Sequence, residues 1–414
     1  MTVTSIRRRD RATVTPQTLG AGELAAADRV GLYVHFPFCS VHCPYCDFAV
    51  DARADIPHDR YADAVSAELA ARAPWFRTAT SRLVSVYFGG GTPGLWRADA
   101  LARVIAAGRA AFAAEASSLE LTVEANPGEV DGARAEAWRR AGVNRLSLGL
   151  QALDDRLLGA LGRNHDGAAG PAAVRAARAA GFDNISVDLM FGLPGQSVDD
   201  WRRSIDGVLA LRPEHVSAYA LTIERGTPFG ARARKGDLVV PEGDLVATMQ
   251  ELVRDALASA GLAQYEVSSY ARPGKRAVHN SLYWTGAPYL GVGASAASFR
   301  PLADGSGWRF SNPRATDTYF KAMTIGAGSP TPAQAERRAG SDLENEAVWL
   351  ALRTADGIDR ASHALRFGAD PVVGREAGIR ACVERGWLEV TATALRPTAS
   401  GFLFADDVAT RLWR

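Results

Sequence analysis

At 414 residues, with 47% hydrophobic and 22% charged residues and a formal charge of +1 at pH 7, the chain has an ordinary soluble globular composition. It lacks the net positive charge of a general nucleic-acid binder, and no apolar run reaches the roughly 18 residues that a membrane span needs. Four cysteines, three of them clustered, do not make a secreted disulfide framework, so the cytoplasm is the expected compartment.

Residues 1–28 are expected to form a flexible basic tail, with Arg7, Arg8, Arg9 and Arg11 and no apolar segment of a secretory signal; a membrane-surface or partner tether is the other reading. From 29 to 240, six β-rich runs (31–36, 82–88, 119–125, 145–151, 184–191 and 215–223) alternate with amphipathic stretches whose apolar residues recur at three and four. Six strand-helix units in series predict a parallel sheet with helical crossovers, a full or partial β/α barrel, whose chemistry gathers at the strands' C-terminal ends. Residues 241–335 read as an α+β extension, a helix followed by a Tyr/Ser/Gly-rich block that contains HNSLYW (279–284). Residues 336–414 read as helix, helix, helix, hairpin and a short helix, the order of a small winged-helix-like domain. Its recognition candidate mixes Arg375, Arg380 and Arg385 with Glu376 and Glu384, which offers no phosphate-binding stripe and leaves a lid or interaction module.

The first strand runs into HFPFCSVHCPYCDF, with Cys39, Cys43 and Cys46 at spacings of four and three. Thiolates select zinc, copper(I) or an iron-sulfur cluster. A structural zinc site wants four ligands, and His35 or His42 is available to complete one. A cubane cluster held by three cysteines instead leaves one iron open to an exchangeable ligand. The remaining cysteine, Cys382, sits alone in a predicted helix and is expected to be a packing residue.

The C-x3-C-x2-C loop after the first strand of a β/α barrel resembles the radical S-adenosylmethionine (SAM) superfamily. That resemblance implies a [4Fe-4S] cluster on Cys39, Cys43 and Cys46. It also implies SAM chelated at the unique iron and cleaved there to a 5′-deoxyadenosyl radical. Tyr33, FGGGTP, VEANPGE, SLGLQ, the Gln151 to Arg163 spacing and VDLMFGLPGQ are similar to the branch holding anaerobic coproporphyrinogen III oxidase and its heme-chaperone relatives. By that likeness Tyr33 belongs to the SAM site, Tyr45 lies near the adenine, and Gly90, Gly91 and Thr92 admit the amino-acid end of SAM. Glu124 accepts hydrogen bonds from it. Gln151, Arg163 and Asp188 make further contacts, and Thr222 matches loosely. Outside that frame a glycine-rich turn is often only a turn, and an acid ending a strand is more often a helix cap or ion-pair partner.

Two features depart from the oxidase: Phe48 stands where its pattern has a further cysteine, and the segment before Tyr33 is short. HNSLYW resembles the H-N-x-x-Y-W signature of the heme chaperones, which implies heme contacts from His279, Asn280, Tyr283 and Trp284. Lying shortly after strand six, this motif is expected near the barrel mouth, although a His beside an Asn is by itself more often a hydrogen-bonded structural pair. The expected function is a heme chaperone with a [4Fe-4S] cluster and SAM; an oxygen-independent coproporphyrinogen III oxidase and another radical SAM enzyme are the alternatives. Expected partners are heme, heme-acceptor apoproteins such as membrane respiratory enzymes, and an electron donor such as a flavodoxin or ferredoxin, but no nucleic acid.

Overall fold

The computed structural model of the chain describes residues 14–112, 119–325 and 329–414. Six runs rich in β-branched and aromatic residues form β1 (Arg29–Phe36), β2 (Arg82–Gly90), β3 (Glu120–Ala125), β4 (Arg145–Gln151), β5 (Ile185–Phe191) and β6 (His215–Ala220). Each pairs in parallel with the next, which requires a crossover on one face. The crossovers are α1 (His58–Arg72), α2 (Ala98–Ala111), α3 (Gly132–Ala141), α4 (Ala169–Ala179) and α5 (Val198–Ala210). Helix ends follow local chemistry: Asp131 caps α3, which stops at Gly142 in the left-handed region (φ 96°), and Ser197 with Asp200 forms a capping box on α5.

The sheet continues past both edges. After α6 (Gly243–Ser259), the short strands β7 (Ala263–Gln264) and β8 (Ser269–Ala271) add beyond β6, antiparallel. Helix α7 (Val278–Thr285) then returns the chain to the other edge. There β9 (Tyr289–Val292) lies parallel to β1, followed by β10 (Ala297–Pro301), β11 (Gly307–Ser311) and β12 (Gln334–Arg338) in antiparallel order. The extension is therefore continuous with the barrel sheet, in the order β12-β11-β10-β9-β1-β2-β3-β4-β5-β6-β8-β7. Glu68 and Arg72, both fully buried on α1, tie it to that edge through Asn312, the Tyr319 hydroxyl and the Gly293 N–H.

Residues 14–28 correct the expectation of a flexible tail. Leu19 and Leu24 are buried, Leu24 bridges to Leu302, and Arg300 donates to the carbonyls of Ala21 (2.9 Å) and Gly22 (2.6 Å). Two leucines with an apolar seat outweigh the polar composition around them. The basic run Arg7 to Arg11 lies outside the described residues.

The C-terminal domain packs α8 (Gly340–Ala351), α9 (Arg360–Phe367) and α10 (Glu376–Glu384) with a three-stranded sheet of Ile358–Asp359, Leu388–Val390 and Ala394–Pro397. Its separate core includes Val348, Leu352, Ile379, Leu395 and the fully buried Cys382. Among the described residues no helix is long and apolar enough to cross a membrane.

Candidate functional site

The cysteine loop is pinned at both ends. Phe38–Cys39 pairs in parallel with Asp51–Ala52, and the ring of His35 bonds the Ala49 carbonyl (3.1 Å) and the Tyr33 hydroxyl (3.0 Å). Within the loop the Cys46 N–H donates to the Cys43 carbonyl (3.1 Å), which turns both thiols towards one region. Cys39 is buried and accepts from the Thr92 hydroxyl at 3.3 Å.

Burial pushes the Cys39 thiol up to about 11, the Thr92 bond opposes this, and the neighbouring sulfurs add to the rise; Cys46 is raised for the same first reason. Two thiols raised in this way ionise together only around a cationic centre. No three His, Cys, Asp or Glu side chains among the described residues are grouped for a single metal ion. Both nitrogens of His35 are engaged, and Nε2 of His42 meets the Cys46 carbonyl (3.2 Å). The donor set therefore fits a multi-iron cluster and not a zinc ion completed by histidine.

Beside the thiols, β2 ends in a cradle. Gly90 has φ 110°, and a Cβ there would stand 2.5 Å from the His35 ring. The Gly91 N–H donates to the Phe36 carbonyl (2.8 Å) and the Thr92 N–H to that of Phe38 (2.9 Å), locking the cradle to the cysteine strand. Glu124, ending β3, accepts from the Tyr87 hydroxyl (2.6 Å) and the Gly90 N–H (3.2 Å). Burial nevertheless raises its carboxyl to about 7, against those two bonds and with help from Asp188. A cationic amino group placed beside it would restore the carboxylate.

On the far wall, Arg163 donates to the Gly149 carbonyl (3.1 Å) and to Asn126, and reaches Tyr45 (3.5 Å) and Cys43 (3.7 Å). Gln151 ends β4 in the left-handed region (φ 64°), where the pairing with β5 is irregular. Asp188 accepts from Ser147 (3.1 Å), and burial raises its pKa. One cavity of about 340 Å³ is lined by Cys39, Cys43, Cys46, Tyr45, Gly90, Gly91, Thr92, Glu124, Gln151, Arg163 and Asp188. Asn126, Ser147, Met190 and Tyr219 line it too and were missed as site residues. Asn126 had a signal, since it sits inside VEANPGE; it joins Arg163 to Thr92.

Two expected SAM residues do not line this cavity. Tyr33 bonds to His35 and so supports the cysteine loop from within the barrel, while Thr222 is exposed beyond the end of β6.

The HNSLYW motif is not at the mouth. Helix α7 lies against the opposite, N-terminal ends of the strands, where the N–H groups of Val278 and His279 donate to Glu120 at the start of β3 (3.0 Å each). The His279 ring is 1% exposed, stacks on Tyr87, and bonds Ser85 through Nδ1 (2.9 Å) and Tyr283 through Nε2 (2.7 Å). Two hydroxyl partners and an aromatic stack hold it inside, with neither nitrogen free for iron. Asn280 and Tyr283 are half-buried on the same helix, and Trp284 faces the C-terminal domain.

Burial lowers the His279 pKa to about 3 from its ordinary 6.5. Between those values the unfolded chain binds a proton that the folded one does not, so stability present above pH 6.5 is lost on acidification, by about 2 kcal/mol at pH 5. His35 and His215 are lowered as well, so the informative quantity is a difference. The fall in urea midpoint from pH 7.5 to 5 is expected to be smaller in His279→Gln than in wild type; equal falls would contradict the buried neutral imidazole.

Comparison with known proteins agrees with this geometry. The Radical SAM superfamily pattern matches residues 33–207, and the HemN C-terminal domain pattern matches 341–404. The chain is 36% identical over 386 residues to the heme chaperone HemW of Mycobacterium tuberculosis, covering 92% of this chain and 94% of that protein. It is 34% identical to the mitochondrial radical S-adenosyl methionine domain-containing protein 1 of Mus musculus, over 93% and 87% of the two chains. Its fold is similar to that of coproporphyrinogen III oxidase (HemN) from Escherichia coli, with a TM-score of 0.79 at 21% identity over 97% and 96% of the chains.

Proposed function

This chain belongs to the radical SAM superfamily, in the branch of the HemW heme chaperones, and from that premise we propose that it binds heme in addition to a [4Fe-4S] cluster and SAM, and passes the heme to acceptor apoproteins. The observation that carries the reading is the single cavity in which three free cysteines meet the glycine cradle of β2, Glu124, Arg163 and Asp188. When bound, the cluster supplies an electron to the sulfonium of SAM. The protein's own groups do the rest. Glu124 and the Gly90–Thr92 backbone receive the amino-acid end of SAM, Tyr45 flanks its adenine, and Gln151, Arg163 and Asp188 complete the contacts. Tyr33 acts through His35, and Thr222 is at most a backbone contact.

The oxidase alternative is disfavoured by Phe48, which stands 66% exposed at the mouth where the oxidase pattern has a cysteine. Heme acceptors such as membrane respiratory enzymes, a flavodoxin or ferredoxin as electron donor, and a cytoplasmic setting complete the proposal. Heme is held on the α7 side of the barrel, away from the cluster; ligation by His279 would require it to give up the Ser85 or the Tyr283 bond and to leave its buried stack on Tyr87.

Anaerobically reconstituted protein is expected to bind heme saturably, with and without SAM, and to convert no coproporphyrinogen III to protoporphyrinogen IX in a fully reduced assay. Absence of saturable heme binding would overturn the chaperone reading. Decarboxylated product would restore the oxidase.

A further inference from the structure

Helix α7 presents two faces. His279 turns into the barrel, whereas Trp284 lines an open groove of about 400 Å³ between α7 and the C-terminal domain. The opposite wall is α9, which contributes His363, Arg366 and Phe367. We propose that this groove is the heme cradle: His363 ligates the iron, Trp284 and Phe367 pack on the macrocycle, and Arg366 takes a propionate. The inference rests on the heme-chaperone reading above and names the site that reading lacks.

The two histidines differ in what they have to spare. Nε2 of His363 meets Glu344 at 3.2 Å, and Glu344 is itself held by Arg375 (3.0 Å) and Arg414 (3.4 Å). A fixed carboxylate behind an imidazole sets its tautomer and orientation, which is the usual support of a metal-binding histidine. Nδ1 has no hydrogen-bond partner among the described residues and is left to donate its lone pair.

The walls suit a flat amphipathic dicarboxylate. The Phe367 ring lies 4.8 Å from that of His363, and the Trp284 indole N–H is buried without a partner. Arg366 lies over Phe367 at 5.0 Å and bonds only the Thr285 carbonyl, at 3.5 Å; it makes no ion pair among the described residues. A guanidinium in that state can receive a carboxylate through two parallel N–H donors. Arg276, on the same rim, is already taken by Asp356 at 2.7 Å. The groove is open, so one edge of the macrocycle stays in contact with solvent, which favours hand-over to another protein over permanent retention.

The test is anaerobic titration of full-length, cluster-loaded protein with hemin, followed by the Soret band. His363→Gln is expected to move the band and to weaken binding by about tenfold or more. Arg366→Glu, an exposed change that spares the fold, should weaken binding without moving the band, and His279→Gln should not move it. Iron and sulfide content equal to wild type shows that the barrel is intact, and a wild-type urea unfolding profile shows that the C-terminal domain, with its separate core, is folded in each variant. A wild-type spectrum and affinity in both His363→Gln and Arg366→Glu, or a band moved by His279→Gln alone, would overturn the groove while leaving the chaperone reading intact. No saturable binding by wild type would remove that reading, and the groove with it.

Discussion

Replacing Cys39, Cys43 or Cys46 with Ala is expected to leave the protein without a stable iron-sulfur cluster after anaerobic reconstitution, measured as iron and sulfide per chain. In the proposed site each thiolate is one of only three protein ligands, so no spare donor takes over. Both nitrogens of His35 are spent, and His42 is tied to the Cys46 carbonyl. The loss should be steepest at Cys39, whose buried sulfur is also the acceptor for Thr92. Cys382→Ala is the control: it opens a small cavity in the C-terminal core, costs about 1 kcal/mol or somewhat more, and leaves iron content unchanged. Full iron in a triple variant, or zinc alone in the native protein, would refute the assignment.

The second large effect belongs to Gly91. A Cβ at that position would lie 2.7 Å from the carbonyl carbon and oxygen of Pro37 and 2.8 Å from the Phe38 oxygen, all of them backbone atoms that no rotamer change can move. Relief requires parting the end of β2 from the cysteine strand, which breaks the Gly91 to Phe36 and Thr92 to Phe38 hydrogen bonds. Gly91→Ala should therefore cost about 3 kcal/mol in urea unfolding and abolish SAM binding in equilibrium dialysis. Gly128→Ala, where nothing lies within 4 Å, should change neither measurement. Equal behaviour of the two variants would show that the cradle tolerates a side chain.

The barrel strands were legible because each is a short apolar run between helical patterns, and their ends in the structure fall within a few residues of those runs. The cavity was legible for the same reason, since its polar residues sit at strand ends that a parallel sheet must bring together. The placement of α7 was not. Its anchors, Glu120 and Ser85, lie more than a hundred residues away, and no local period encodes a hydrogen bond of that separation. A histidine in a polar-looking motif reads as a ligand until its Ser85 and Tyr283 partners are known. Residues 14–28 were misread likewise, because the seat of Leu24 is Leu302, which lies close by in the sheet but far along the chain.

The pairing of β1 with β9 has a consequence for how the protein is made. Every residue lining the cluster cavity lies between Cys39 and Tyr219, yet the outer edge of β1 is covered only by Tyr289–Val292. The roughly 70 residues in between take about 4–14 s to leave a ribosome. During that interval the nascent chain carries Cys39, Cys43 and Cys46 beside an open apolar strand edge, and Glu68 still lacks Asn312 and Tyr319. An uncovered strand edge is a template for pairing with another chain, so until Tyr289–Val292 emerges the half-made barrel is open to self-association.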